Sequence, residues 1–298
     1  MAFGHAGELA ALGTAACFTV TALAFESAGR RVGSLPVNLI RLVGALVLVA
    51  ILQQVRHGVP YPVHAPSAAW GWLVASGLVG FAFGDLCLFR AFVVIGSRLA
   101  MLLMALVPPL TAVLSYLATG ETLGARDLVG MALSLSGISW VVLERRDLGA
   151  SARERPPLGG ILLGLGGALG QAVGLVLSKR GLAYCAPFPA NEIRMTAGIL
   201  GFVTIISLSR RWGSVAAAMR DRPALKRMLV GAAFGPFLGV SLSLFAIRDT
   251  RAGVAATLMA LTPVLILPAV MWRRRERVSL RAAIGALLAV AGTAVLFA

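Results

Sequence analysis

Apolar residues in this chain run on without the interruptions that a water-facing helix or strand requires. Uncharged stretches cover residues 9–25, 42–55, 65–84, 99–120, 128–143, 156–178, 195–209, 228–247, 252–272 and 282–298. A helix needs about 20 mainly apolar residues to cross the hydrocarbon core, and fewer where polar ends reach the interface. Ten transmembrane helices are therefore predicted, joined by short connections with no appended soluble domain. The ten-residue alternation of an outer-membrane barrel is absent, and the 34 glycines suit close helix packing. The expected fold class is an all-α integral membrane protein. No basic segment precedes the first span and no small-residue cleavage site follows it, so it reads as a retained helix.

Composition agrees and removes other classes. Hydrophobic residues make up 58% of the 298 and charged ones 13%, against roughly a quarter charged in a soluble domain. A water-facing exterior cannot be built from this, which excludes most soluble enzymes. The net charge of +15 would suit a nucleic-acid binder if the basic residues shared a polar surface. They punctuate apolar runs instead, so the lipid bilayer is the expected partner and nucleic acid is not. Leaving aside Arg41, Arg90, Lys179 and Arg194, loops after odd-numbered spans hold 18 Lys and Arg, and those after even-numbered spans hold 5. By the positive-inside rule both termini lie outside. Tryptophans fall mostly at span ends, as an interfacial belt requires. Cys17, Cys87 and Cys185 show no metal-ligand spacing and read as structural thiols.

The chain repeats itself. Residues 103–110, LMALVPPL, match 258–265, LMALTPVL, at an offset of 155, which also pairs Gly80 with Gly235, Gly84 with Gly239, Gly130 with Gly285 and Gly137 with Gly292. Upstream, PVNLIR at 36–41 matches PANEIR at 189–194 at an offset of 153. Two five-span units follow, 1–148 and 149–298. Because five is odd, the second begins on the opposite side of the membrane, giving an inverted repeat. Secondary transporters are commonly built this way, with a site near the midplane between the units.

Several residues are candidates for that site, each with a plainer alternative. Pro108 and Pro263 lie inside spans four and nine, where each frees a carbonyl one turn earlier, at Met104 and Met259. Those carbonyls line a cavity or are satisfied by neighbouring helices. Glu26 and Lys179 end spans one and six at equivalent repeat positions, as gate or substrate groups or as side chains reaching headgroups, and Glu26 is also a candidate for proton coupling. Asp85 is the deepest acid, a candidate for proton coupling or for a structural pair with Arg90 five residues on. Arg41 and Arg194, each with an Asn three residues earlier (Asn38 and Asn191), either hold a substrate carboxylate or tie helix ends together; duplication favours the structural role. Gln171 needs a hydrogen bond inside the bundle. Phe18, Phe81, Met101 and Met104 line a cavity or simply pack. Glu121 and Glu276 fall in tight loops and read as caps, outside the site.

The doubled "LM.L.P" helix, with a Glu 13 residues after the Pro (Pro108 to Glu121, Pro263 to Glu276) and then a Gly-rich span, resembles the drug/metabolite transporter superfamily with its paired EamA modules. Phe89-Arg90-Ala91 and Phe245-Ala246 add to the likeness, which covers almost the whole chain. Within the superfamily the chain is similar to the YddG-type amino-acid exporters. The resemblance implies a monomeric ten-helix exporter or exchanger of small metabolites in the inner membrane, with amino acids as the expected substrates and termini inside, against the charge count. No phosphate-binding loop is present, so a gradient or exchange must drive transport, and no cofactor is expected. A nucleotide-sugar, organic-phosphate or drug exchanger is the alternative within the superfamily. A membrane scaffold or intramembrane enzyme is the alternative outside it, although the histidines His5, His57 and His64 form no catalytic constellation.

Overall fold

The computed structural model describes residues 5–95, 100, 103–144, 157–262, 264–265 and 280–297. Among these the chain is helical, with no strand. Helix α1 (Ala6–Val32) and α2 (Ser34–His57) are separated by Gly33 at φ +84°, a left-handed position that glycine adopts without steric cost. Helix α3 (Ser67–Gly77) passes through a π-helical turn at Leu78–Gly84 into α4 (Asp85–Val94). Then come α5 (Val107–Thr119), α6 (Ala125–Glu144), α7 (Leu158–Gly181) and α8 (Pro187–Leu208). A short α9 (Trp212–Arg220) precedes α10 (Arg222–Ala232), a second π turn at Ala233–Gly239, α11 (Val240–Asp249), α12 (Ala252–Met259) and α13 (Leu280–Phe297).

Among the described residues, six helical segments are long and apolar enough to cross a bilayer: Ala6–Gly29, Ser34–His57, Ser67–Ala91, Leu158–Gly181, Pro187–Leu208 and Arg222–Asp249. Val107–Thr119 and Ala283–Leu296 are shorter apolar helices. Spans four and nine are not the continuous kinked helices expected from their prolines. The chain turns at Ala105–Leu106 and again at Ala260–Leu261, positions 155 apart. Pro108 therefore sits in the first turn of α5, where its missing N–H leaves no gap. The Met259 carbonyl accepts from the Thr262 hydroxyl at 3.0 Å. Pro263 and Met101 lie outside the described residues.

The π turns are also 155 residues apart. An inserted residue in a helix needs room for a displaced carbonyl, and glycine supplies it in both places. A Cβ on Gly84 would stand 3.2 Å from the Val79 carbonyl oxygen, and one on Gly239 would stand 2.8 Å from that of Phe234. The same glycines let a neighbouring helix approach. A Cβ on Gly170 of α7 would lie 2.7 Å from the Gly84 Cα.

Packing crosses between the units reciprocally. Helix α1 lies against α10, the second π turn and α11, while α7 lies against α3, the first π turn and α4. Equivalent pairs meet: Gly174 with Gly80 and Thr21 with Gly235, Ser178 with Ser76 and Phe25 with Gly231. Helices α6 and α13 form a second seam. Gly130 adjoins Gly292 and Gly137 adjoins Gly285, so the two helices run antiparallel.

Candidate functional site

Charge gathers around the first π turn. Helix α2 carries Arg41 inward, and its Nη2 donates to the Asp85 carboxylate in a buried ion pair. Asp85 is the residue at which the π turn returns to α-helix. Its Oδ1 accepts from Gln171 Nε2 of α7 at 2.9 Å, and the same amide reaches the Gly80 carbonyl inside the π turn at 3.2 Å. From α8, Arg194 Nε donates to Ser76 Oγ at 2.9 Å, and Ser76 meets Ser178 Oγ at 2.7 Å and the Gly174 carbonyl at 2.6 Å. Aromatic faces complete the walls. Arg194 lies 4.9 Å from the Phe81 ring centre, and Arg41 lies 5.5 Å from that of Phe25 and 5.7 Å from that of Phe89, within cation–π range. Arg41, Asp85 and Arg194 are 9%, 6% and 4% exposed. Arg41 Nε and Arg194 Nη1 are buried without a hydrogen-bond partner, as is Asn38 Oδ1.

The sequence brought six of these residues forward singly: Asn38, Arg41, Phe81, Asp85, Gln171 and Arg194. What it did not reveal is their convergence. The alternative pairing of Asp85 with Arg90 does not occur; Arg41 takes that carboxylate and Arg90 is exposed on α4. Asn191 serves the second π turn, donating to the Pro236 carbonyl at 2.7 Å and to Ser241 Oγ at 3.0 Å. Phe18 packs on Gly239 of that turn. Met104 is half-buried beside the break before α5, and Met259 is buried. Glu26 belongs to α1, and its side chain lies outside the description.

A second polar cluster joins the two units at one end. Lys179, closing α7, pairs with Glu121 in the turn between α5 and α6, and donates to the Thr250 carbonyl at 2.9 Å. Glu121 also accepts from Ser115 Oγ at 2.6 Å and from the Ala252 N–H at 3.1 Å. Burial would raise its pKa, but the hydrogen bonds from Lys179 and Ser115 prevail and hold it below the ordinary glutamate value. Beside it Arg251 pairs with Asp127. Glu121 is thus a clamp between units as well as a cap, and Lys179 faces protein rather than headgroups.

Glu192 of α8 escaped the sequence reading. It is wholly buried, and neither carboxyl oxygen has a partner. The one available signal was its place in PANEIR, where PVNLIR has Leu39.

With this geometry the likenesses to known proteins can be set beside the repeat. The profile of the EamA-like transporter family matches residues 5–143 and again 158–298. The chain belongs to the EamA-like transporter family. It is accordingly a multi-pass membrane protein, in a family whose members transport rather than catalyse. A solved crystal structure matches with a TM-score of 0.74 at 21% identity, over 97% of this chain and 95% of the other, a likeness of fold. No curated protein matches significantly. The charged cluster of this EamA-like protein lies between its two matched copies, with Arg41, Ser76 and Asp85 from the first and Gln171, Ser178 and Arg194 from the second.

Proposed function

We propose that the chain is a secondary-active transporter of the inner membrane that exports small polar metabolites, amino acids foremost, by alternating access between inverted units 1–148 and 149–298. The observation that carries this reading is the reciprocal packing. The antiparallel seam of α6 on α13, and the crossing of each unit's first helix onto the other's π turn, are the contacts expected of two equivalent units related by a two-fold axis in the membrane plane. A buried polar cluster lies where the units meet, as a substrate site between rocking halves requires. The clamp of Lys179 on Glu121 supports a closed gate at one end.

The test is flux. Purified protein in liposomes should move labelled amino acids down an imposed gradient and exchange them across the bilayer. No flux of any small polar solute, with the protein folded, would sink the reading. Proton coupling through Asp85 belongs to the same proposal. Asp85→Asn should flatten the pH dependence of flux, and an unchanged profile removes Asp85 from the proton path. The proposal takes the chain as working alone, as a monomer, so detergent-solubilised protein should sediment as a single copy.

A further inference from the structure

Repeat equivalence places the two arginines in matching surroundings, yet those surroundings differ in chemistry. Around the first π turn stand Ser76, Asp85, Gln171 and Ser178; at the equivalent positions around the second stand Gly231, Val240, Phe18 and Phe25. Contacts agree with this register, because Phe25 meets Gly231 where Ser178 meets Ser76, and Phe18 meets Gly239 where Gln171 meets Gly84. At these four positions one copy of the duplicated site is thus polar and the other is apolar, with two rings. If Arg41 and Arg194 were only helix ties, their partners would be equivalent. They are not: Arg41 reaches an acid of its own unit, and Arg194 reaches a hydroxyl of the other.

The polar copy is also short of negative charge. Two guanidiniums surround one carboxylate in a region less than a tenth exposed. Each retains a buried N–H group without an acceptor, Nε on Arg41 and Nη1 on Arg194. A buried cation lacking its counter-charge is costly, and the guanidinium fork matches a carboxylate in shape.

We propose that this polar copy is a binding site for the carboxylate of a small monoanionic or zwitterionic solute, with Arg194 as its anchor. The inference rests on the transport reading above and names the group that the carrier recognises. Arg194 is the better anchor because, among the described residues, its side-chain acceptor is the neutral Ser76 hydroxyl, whereas Arg41 is already held by Asp85. An amine without a carboxylate would add a third cation to the cluster and is excluded.

Two matched series test this with the full chain: leucine, 4-methylpentanoate and 3-methylbutylamine; phenylalanine, 3-phenylpropionate and 2-phenylethylamine. In detergent, the amino acid and the carboxylate of a series should raise the melting temperature as their concentration rises, and the amine should not. Arg194→Lys keeps the charge but loses the fork, and should weaken carboxylate binding about tenfold or more, the loss expected when a charge-assisted hydrogen bond is removed. Arg31→Gln, which alters only the exposed pair with Asp221, should leave it unchanged. Stabilisation by the amines equal to that by the carboxylates, no stabilisation by any carboxylate, or full affinity in Arg194→Lys each overturns the proposal. The wild-type series decides the matter even if the variant fails to fold. Carboxylate binding without flux of any polar solute upholds the site and sinks the transport reading; flux of amines and carboxylates alike does the reverse.

Discussion

Removing the Asp85 carboxylate leaves the guanidiniums of Arg41 and Arg194 buried with no anion beside them. Asp85→Ala should therefore destabilise the folded protein by about 3–5 kcal/mol, and replacing Arg41 by Met in the same chain should restore much of the loss, because breaking a buried pair costs more than removing it whole. Thermal unfolding of the two variants in detergent checks this; equal losses would contradict it. Glu192 calls for the opposite sign. Its carboxyl has no partner, and its repeat equivalent is Leu39, so Glu192→Leu should raise stability by about 1–3 kcal/mol, the cost of an unsatisfied buried polar group. A fall in melting temperature would mean that the carboxyl is satisfied. At this scale the sequence was partly legible. Residues out of place in an apolar run, such as Asp85 and Gln171, identify themselves by their cost. Their pairings do not, since Arg41 reaches Asp85, and Gln171 reaches Asp85 and the Gly80 carbonyl, across helices whose mutual rotation no periodicity sets, and Glu192 hid in a motif that duplication made look structural.

Elements depend on where glycine is needed and where it is merely present. Gly170 and Gly84 meet backbone to backbone, so Gly170→Ala should cost about 1–3 kcal/mol by overpacking and should disturb the first π turn. Gly71, with open space around its missing Cβ, should accept Ala with a gain of about 0.5–1 kcal/mol. Melting temperatures of the two single variants provide the comparison, and similar changes in both would refute it. The glycines Gly80 and Gly84, and Gly235 and Gly239, were plain in the sequence as positions paired by the repeat. That they accommodate π turns was not, because the inserted residue leaves the apolar pattern nearly intact while rotating everything beyond it. Asp85 thereby faces Arg41, while Arg90, five residues further along the same helix, lies on another face. The breaks before α5 and within span nine were hidden for a related reason, since proline predicts a helix boundary and a kink equally well.

Across the whole molecule, the clamp of Lys179 on Glu121 ties the first unit to the second at one end. Glu121 titrates below its ordinary range, so the clamp's contribution is complete above the unfolded glutamate pKa, about 4.3, and is lost as pH falls through the lowered folded value. Wild-type stability should therefore drop by more than that of Glu121→Gln as pH falls below about 4.3, measured by denaturation at each pH; parallel curves would show that the pair adds no pH-dependent stability. The duplicated architecture was the most legible feature of all, because two runs of matched residues survive in the sequence. The antiparallel contact of α6 with α13 adds a mechanical consequence. Glycine backbone meets glycine backbone at both levels of that seam, with Leu296 and Ser134 packed beside it, so a Cβ added at Gly137 or Gly292 would meet backbone atoms of the other unit and force the two helices apart.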